Sequence, residues 1–481
     1  MGKKKNSKPK TALLWDLSGA FVKQLASFFI SILLARLLGP EEFGLIAMAM
    51  VVINISSVLT DVGFSNALIQ QKTTKNITFS SVFYVNLSIS LLLSLIIIGI
   101  SPFVAHFFED PKLQNIMYFL AVIPPISAAG SVQSAILIKK IDFKRLTIRD
   151  IIATVVGGVL GVIAALSDFG VYSLVIQQLT MVFLGTALLW YATKWKPKWE
   201  FSSVEIKKLF SFSSYVFFDI LIRRIFLNID TIFIGKVFSP LILGVYARAQ
   251  SLKSQVDSYS TQSLSKIIFP VLSQVQDDEK SFKATYHKAF NTISGIMVLL
   301  IAPLYFLADD IIINLLGEQW QRSVLLFEIL VLAAIVRPLV SIMGSALLAK
   351  GYSKFKFKVG LIQRVLMLFP ISIGYFYGIS EFTAATVITF YIVFLLYLLA
   401  MDKKMNIKFW IQLKNAIIPN LLFLIFIILD YTTGINIYRW LIVVLFIVLQ
   451  LVFLKMIKHE SFNFIYTNIR SLLRKSKKNK F

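Results

Sequence analysis

Apolar runs of about twenty residues succeed one another along almost the whole of this 481-residue chain, with only short polar breaks between them. A run of that length crosses the hydrocarbon of a bilayer as a helix. In that solvent every backbone N–H and C=O must be satisfied within the protein, which leaves helices and closed barrels as the spanning structures. Barrel strands read as short segments of alternating hydrophobicity. Here Leu, Ile, Val and Phe fill runs of helical length. The expected fold is an all-α polytopic membrane protein. Charged residues make up only 15% of the chain, against about a quarter in soluble proteins.

The breaks delimit about fourteen transmembrane helices of ~20–28 residues, near 13–38, 43–70, 78–106, 113–138, 145–167, 170–193, 207–237, 241–270, 285–308, 323–349, 358–378, 381–401, 412–430 and 435–457. The first is too long for a signal-peptide core, and no small-residue cleavage site follows it. It is therefore expected as an uncleaved span. Basic residues gather in alternate breaks, from Lys3, Lys4 and Lys5 through Lys72 and Lys75, Lys139 to Arg149, Lys194 to Lys208, Lys280 to Lys288, the KGYSKFKFK stretch and Lys403 to the terminal RKSKKNK. The other breaks hold only Lys112, Lys236, Arg322 and Arg439, beside Glu41, Glu42, Glu109, Asp110, Asp309 and Asp310. Basic loops stay on the cytoplasmic side, so both termini are expected there and the span number is even. The net charge of +24 is thus topological and calls for no nucleic-acid partner. Membrane lipid headgroups are a partner for the basic tail.

The chain repeats itself. ARLLGPEEFGLIAMAM at 35–50 matches GKVFSPLILGVYARAQ at 235–250, pairing Arg36 with Lys236, Pro40 with Pro240, Gly44 with Gly244, Ala47 with Ala247 and Ala49 with Ala249. A second match pairs SAILIK, ending at Lys139, with SALLAK, ending at Lys350. The order is preserved and both copies have the same expected orientation. Two six-helix lobes follow, 1–200 and 201–405, related by a parallel repeat, with two additional helices and a basic tail in 406–481. Parallel repeats about an axis along the membrane normal are a transporter architecture, with substrate bound between halves that rock.

These segments also resemble a known family. LLARLLGPEEFGLIAMAMVVINISSVLTDVGFSNALIQQK, ILIKKIDFKRL, GVYARAQSLKS and IIFPVLSQVQDDEKSFKATYHKAF are similar to Wzx-type flippases. Those form the polysaccharide-transport branch of the multidrug/oligosaccharidyl-lipid/polysaccharide exporter superfamily. The resemblance runs over roughly residues 11–400. It implies a flippase for polyprenyl-diphosphate-linked oligosaccharide in a bacterial inner membrane. It also implies work alongside the polysaccharide polymerase and glycosyltransferases of the same pathway. Spans 13 and 14 distinguish this plan from twelve-helix drug exporters.

Charges inside the membrane are costly and face protein or water. At 100° per residue, Asp16, Lys23, Ser27 and Ser31 share one face of span 1, and Asn54, Ser57, Asp61 and Ser65 one face of span 2. Asp219, Arg223 and Asp230 share a face of span 7. On span 8, Arg248, Ser251, Gln255, Tyr259, Gln262 and Lys266 line one side, and Arg337 and Arg364 add cations on spans 10 and 11. Together Lys23, Asp61, Asp219, Arg223, Arg248, Gln255, Tyr259, Lys266, Arg337 and Arg364 are the expected substrate cavity. It is net cationic, suited to a diphosphate and to sugar hydroxyls. Asp61, Asp219 and Asp230 are the candidate ion-coupling acids. Against this stand structural pairings, Asp16 with Lys23, Asp219 with Arg223, and Lys253 with Asp257 at i,i+4.

There is no nucleotide-binding glycine loop, no metal-spaced cluster and no nucleophile motif. The chain has no cysteine, and His106, His287 and His459 are isolated. No cofactor, metal or enzymatic activity is expected. A cation-coupled multidrug exporter of the same fold would want an acidic, aromatic cavity. A membrane polysaccharide polymerase would want a large external loop with Arg or His, and here those loops are short.

Overall fold

A computed structural model describes residues 7–61, 63–71, 75–258, 261, 263–433 and 439–478, with side chains described for all of these but 7–14, 16–17, 211–216, 263, 265–266, 431, 433, 469 and 471–478. Among the described residues every regular element is helical. In chain order they are α1 (Ser7–Leu37), α2 (Pro40–Asp61), α3 (Phe64–Gln70), α4 (Asn76–Phe108), α5 (Lys112–Leu120), α6 (Ile123–Lys139), α7 (Phe143–Leu166), α8 (Tyr172–Thr193), α9 (Ser203–Val237), α10 (Pro240–Asp257) and α11 (Ser263–Gln274). They continue as α12 (Glu279–Phe306), α13 (Ala308–Leu316), α14 (Arg322–Ala349), α15 (Ser353–Leu366), α16 (Phe369–Tyr377), α17 (Ile379–Met405), α18 (Phe409–Ile417), α19 (Leu421–Thr433), α20 (Arg439–Met456) and α21 (Glu460–Lys478).

Twelve segments among the described residues are long and apolar enough to cross a membrane, so the chain is a multi-span membrane protein. The expected spans at 207–237 and 241–270 are also helical, as α9 and as α10 with α11, but fall outside that twelve. Their charge is the reason. Asp219, Arg223, Arg224 and Asp230 all lie within α9, and α10 carries Arg248, Lys253 and Asp257.

Several expected spans are divided between two helices, and three of the breaks have a clear local reason. The run 43–70 breaks between α2 and α3 at Gly63, whose φ of 79° lies in the left-handed region open to glycine. The run 113–138 breaks between α5 and α6, because Pro124 and Pro125 open α6 and have no N–H to donate backward. Pro125 would have bonded the carbonyl of Ala121; the Ser94 hydroxyl donates to that carbonyl instead, at 2.6 Å. The run 358–378 breaks before α16, which has a proline in its first turn. Pro338, by contrast, lies inside a continuous α14.

Contacts divide the chain into two compact units: Met1–Ala247 with Leu315–Gln319, and Arg248–Asn314 with Trp320–Phe481. In the first unit α7 packs between α1 and α8. The close approach depends on small residues, as expected for membrane helices. A methyl group at Gly158 would strike the Ile30 side chain, and one at Gly157 would strike Met181. Ser202 is the N-cap of α9. Ser202 accepts from the Glu205 N–H, and the Glu205 carboxylate accepts from the Thr78 hydroxyl at 3.3 Å. In the second unit the last two apolar helices are fastened by aromatic rings. Phe306 on α12, Phe423 on α19 and Phe446 on α20 lie with centroids 5.7 to 6.2 Å apart. The opposite faces of those helices leave Leu424, Ile428, Leu441 and Val444 exposed, which in a bilayer is surface for lipid.

Within the first unit the two copies of the sequence repeat touch. A Cβ on Gly44 would overlap the carbonyl oxygen of Pro240, and a Cβ on Gly244 would overlap the carbonyl oxygen of Pro40. When residue i meets j and the copy of i meets the copy of j, the contact is self-complementary, as it is across a two-fold axis. At these four positions the matched letters of the sequence meet in space. Hydrogen bonds clasp the same end of the unit. Arg36 donates to the Leu315 carbonyl at 2.8 Å, and its repeat counterpart Lys236 binds the Glu109 carboxylate at 2.7 Å.

Candidate functional site

The first unit holds a cleft of mixed polar and apolar lining, walled by α1, α2, α3, α6, α7 and α8. One part, about 370 Å³, is lined by Lys23, Arg149, Asp150, Gln178 and Thr186, with Ser127, Ser131 and Ser134 of α6. A second part, about 250 Å³, is lined by Ser57, Thr60, Asp61 and Ser65 together with the same three serines. Those serines project at i, i+4 and i+7 from one face of α6 and join the two parts. Hydroxyls in this number suit a polyol, which offers many hydrogen-bonding groups and little apolar surface.

Charge enters the cleft in two ways. Lys23 binds Asp150 at 3.2 Å, and the other oxygen of Asp150 binds Arg149 at 3.0 Å. Arg149 also donates to the Gly185 carbonyl at 3.2 Å, which fixes its plane. Two cations thus share one carboxylate, and the wall is net positive. The Asp16–Lys23 pairing lies outside the described residues on the Asp16 side; the partner of Lys23 is on α7. On the opposite wall Asp61 accepts from the Ser65 hydroxyl at 2.8 Å, the Ser65 N–H at 3.2 Å and the Asn86 amide at 3.1 Å. Asn86 also donates to Ser131 at 3.1 Å. The carboxylate thereby holds the start of α3 across the Gly63 break. Broken helices lining a cavity are where transporters keep substrate and ion sites.

The other expected residues of this unit lie on α9. Asp219 and Arg223 are exposed. Asp230 accepts from the Tyr246 hydroxyl at 3.2 Å.

In the second unit Arg248 is buried with its guanidinium over the ring of the fully buried Trp320, 5.1 Å from the centroid. That geometry makes it a packing anchor for α10. Arg337 pairs with Asp257, which also pairs with Lys253 at 3.2 Å, so the expected i,i+4 pair forms and gains a third member. Lys253 is 1% exposed. Both cations sit 5.0 Å from the centroid of Phe390. Gln255 and Arg364 are half-buried on α10 and α15. Tyr259 lies outside the described residues, and of Lys266 only the helical backbone is described.

Sequence reasoning places Arg149 in the basic break before span 5 and does not single out Asp150. They stand nearly two turns inside α7. It also missed the α6 serines, whose spacing on one face was the available signal. At the clasp, the hydrogen bond and charge of Lys236 hold the Glu109 carboxyl below its usual range. A depressed carboxylate contributes above its ordinary pKa and loses that contribution as pH falls through the lowered value. Probes at the end of α4 and the end of α9 are therefore expected to keep their spacing at neutral pH and to loosen only in acid. Loosening between pH 6 and 8 would contradict this.

The family model described as polysaccharide biosynthesis protein matches residues 33–325, more than half of the chain. Among curated proteins, the chain is 24% identical over 74% of its length to an uncharacterized membrane protein in the cps region of Klebsiella pneumoniae, of which the match spans 74%. It is 24% identical over 60% of its length to the succinoglycan biosynthesis transport protein ExoT of Rhizobium meliloti (strain 1021), of which the match spans 59%. Among solved structures, the lipid II flippase MurJ in an inward closed conformation superposes with a TM-score of 0.72 at 18% identity, over 92% of this chain and 98% of that one. That likeness establishes the fold.

Proposed function

Since the chain belongs to the polysaccharide biosynthesis protein family, we propose that it is a flippase moving lipid-linked oligosaccharide across the bacterial inner membrane. The observation that carries this reading is the serine-lined cleft bearing Lys23, Arg149 and Asp150 among helices long and apolar enough to span a bilayer. A diphosphate-linked sugar brings phosphate oxygens for the cations and hydroxyls for the serines. With Asp61 on the opposite wall the cleft carries two cations and two carboxylates, so it is not the acidic cavity that a cationic drug would want.

In this mechanism the repeats at 1–200 and 201–405 act as lobes that alternate access by rocking, and 406–481 adds lipid-facing helices. The membrane acids Asp61, Asp219 and Asp230 exchange the coupling ion, with Asp61 at the α2–α3 break the first candidate. Both termini lie in the cytoplasm, in keeping with the basic breaks. The polymerase and glycosyltransferases of the pathway supply and consume the substrate. The remaining cations of the expected cavity, Arg223, Arg248, Lys266, Arg337 and Arg364, are proposed to add positive field along the substrate path.

The test is flipping of a fluorescent polyprenyl-diphosphate oligosaccharide in proteoliposomes. Lys23→Gln with Arg149→Gln is expected to lower the rate about ten- to hundred-fold, the cost of two charge-assisted hydrogen bonds. Stability should change less than activity, because the Lys23 side chain is 42% and that of Arg149 28% exposed, and their charges are partly screened. Unchanged flipping by a well-folded double variant would refute the cleft as the substrate path.

A further inference from the structure

We propose that a second, separate cleft, at the ends of α12, α14 and α17, binds a phosphate-bearing anion. Four lysines, Lys283, Lys350, Lys403 and Lys404, converge on a cavity of about 270 Å³ with Tyr352 at its rim and buried Phe282 and Met405 in its lining. They come from three elements far apart in sequence, so the convergence is made by the fold.

Two of the ammonium groups are held in place. Lys350 lies 4.7 Å from the Phe282 ring centroid and donates to the Gln276 carbonyl. Lys404 lies 5.7 and 5.2 Å from the ring centroids of Tyr352 and Phe355. A merely solvated basic face would leave such side chains splayed. Negative charge in the cleft is small. Glu279 pairs with Lys283 at 2.6 Å. Neighbouring Asp278 is turned to the start of its own helix, accepting from the Lys280 and Ser281 N–H groups. The Ser281 hydroxyl, which donates to Asp278 at 2.5 Å, is the first cause that holds its carboxyl below the usual range, with the two N–H groups and the charge of Lys350 adding to it.

Several ammonium groups facing one carboxylate repel one another. A tetrahedral group with several charged oxygens relieves that repulsion from many directions, and lysine binds phosphate as a point charge. Basic pockets at helix ends, level with the headgroups, take anionic lipid heads in this way. A soluble diphosphate offers the same oxygens. The inference stands apart from the transported substrate. Only the leaflet concerned depends on the orientation proposed above, which makes it the cytoplasmic one.

The experiment uses the full chain, purified in detergent, with two probes. Phosphatidylglycerol binding is read by native mass spectrometry, and inorganic diphosphate by calorimetry. At least one probe should bind, and Lys350→Gln with Lys404→Gln should weaken it about ten-fold or more. Lys350→Arg with Lys404→Arg should keep most of the binding. Lys140→Gln with Lys144→Gln, an equal charge loss elsewhere, should leave it unchanged. Retention by phosphatidylglycerol alone identifies a lipid site, and retention by diphosphate alone a soluble ligand. If the paired glutamines misfold, Lys403→Gln at an exposed position gives the same reading with a smaller loss. Binding of neither probe, or equal loss in the Lys140/Lys144 variant, overturns the proposal.

Discussion

Alanine at Gly44 or at Gly244 is expected to hold the Pro40 and Pro240 turns apart and to cut flipping severely, although each change adds a single methyl. The methyl would overlap a backbone carbonyl, Pro240 in one case and Pro40 in the other. No rotamer change relieves a clash with main chain. Overpacking of this kind costs ~1–3 kcal/mol, which shifts an equilibrium between closed and open turns about 5- to 150-fold. Spin labels at Glu42 and Leu241 would read the change directly, because the chain has no cysteine to compete for label. The variants should show a longer distance, reduced flipping and normal accumulation in the membrane. Gly99→Ala is the control, with open space around the new methyl. A wild-type distance with wild-type flipping in Gly44→Ala would remove the contact from the mechanism.

The second large effect is on stability. Asp257→Ala is expected to abolish accumulation of folded protein, or to lower its unfolding temperature sharply. Asp257 is the carboxylate shared by Lys253 and Arg337 around Phe390. Without it two cations face each other beside one ring. Breaking a buried ion pair by removing one member costs ~3–5 kcal/mol, whereas replacing the whole group by apolar residues is often neutral. The triple change Lys253→Met, Asp257→Leu, Arg337→Met should therefore recover much of what Asp257→Ala loses. Thermal unfolding in detergent measures both. Equal stability of Asp257→Ala and wild type would mean that the cluster contributes nothing to the fold.

The two cases differ in how far the sequence exposed them. Apolar runs gave the helical class, and the Pro40–Gly44 and Pro240–Gly244 spacing gave the repeat, because backbone turns constrain letters strongly. That the two turns would lie against each other was not legible. Spacing along a chain carries no information on which copies meet. Lys253 and Asp257 were legible as a pair because i,i+4 is a local relation. Arg337 joins them from eighty residues away, through tertiary packing that helical geometry does not reach. The cleft shows the same division. Lys23 and Asp61 stood out as charges in apolar runs. Arg149 and Asp150 did not, because they lie in the first turns of the 145–167 run, where charge reads as part of the basic break before it. The breaks at Gly63 and Pro124–Pro125 were only half visible. Two adjacent prolines are themselves a signal for a break, whereas the Gly63 break lies within a run still apolar on either side.

The reciprocal glycine contact also bears on how the gene can vary. Once one methyl has separated the turns, the overlap at the other position is already relieved by the same separation. The second alanine should then add little to the first, far from the sum that independent sites would give. Codons 44 and 244, two hundred positions apart, would behave in a genetic screen as one locus. A suppressor of either single change is to be sought at the proline facing it rather than among its neighbours in sequence.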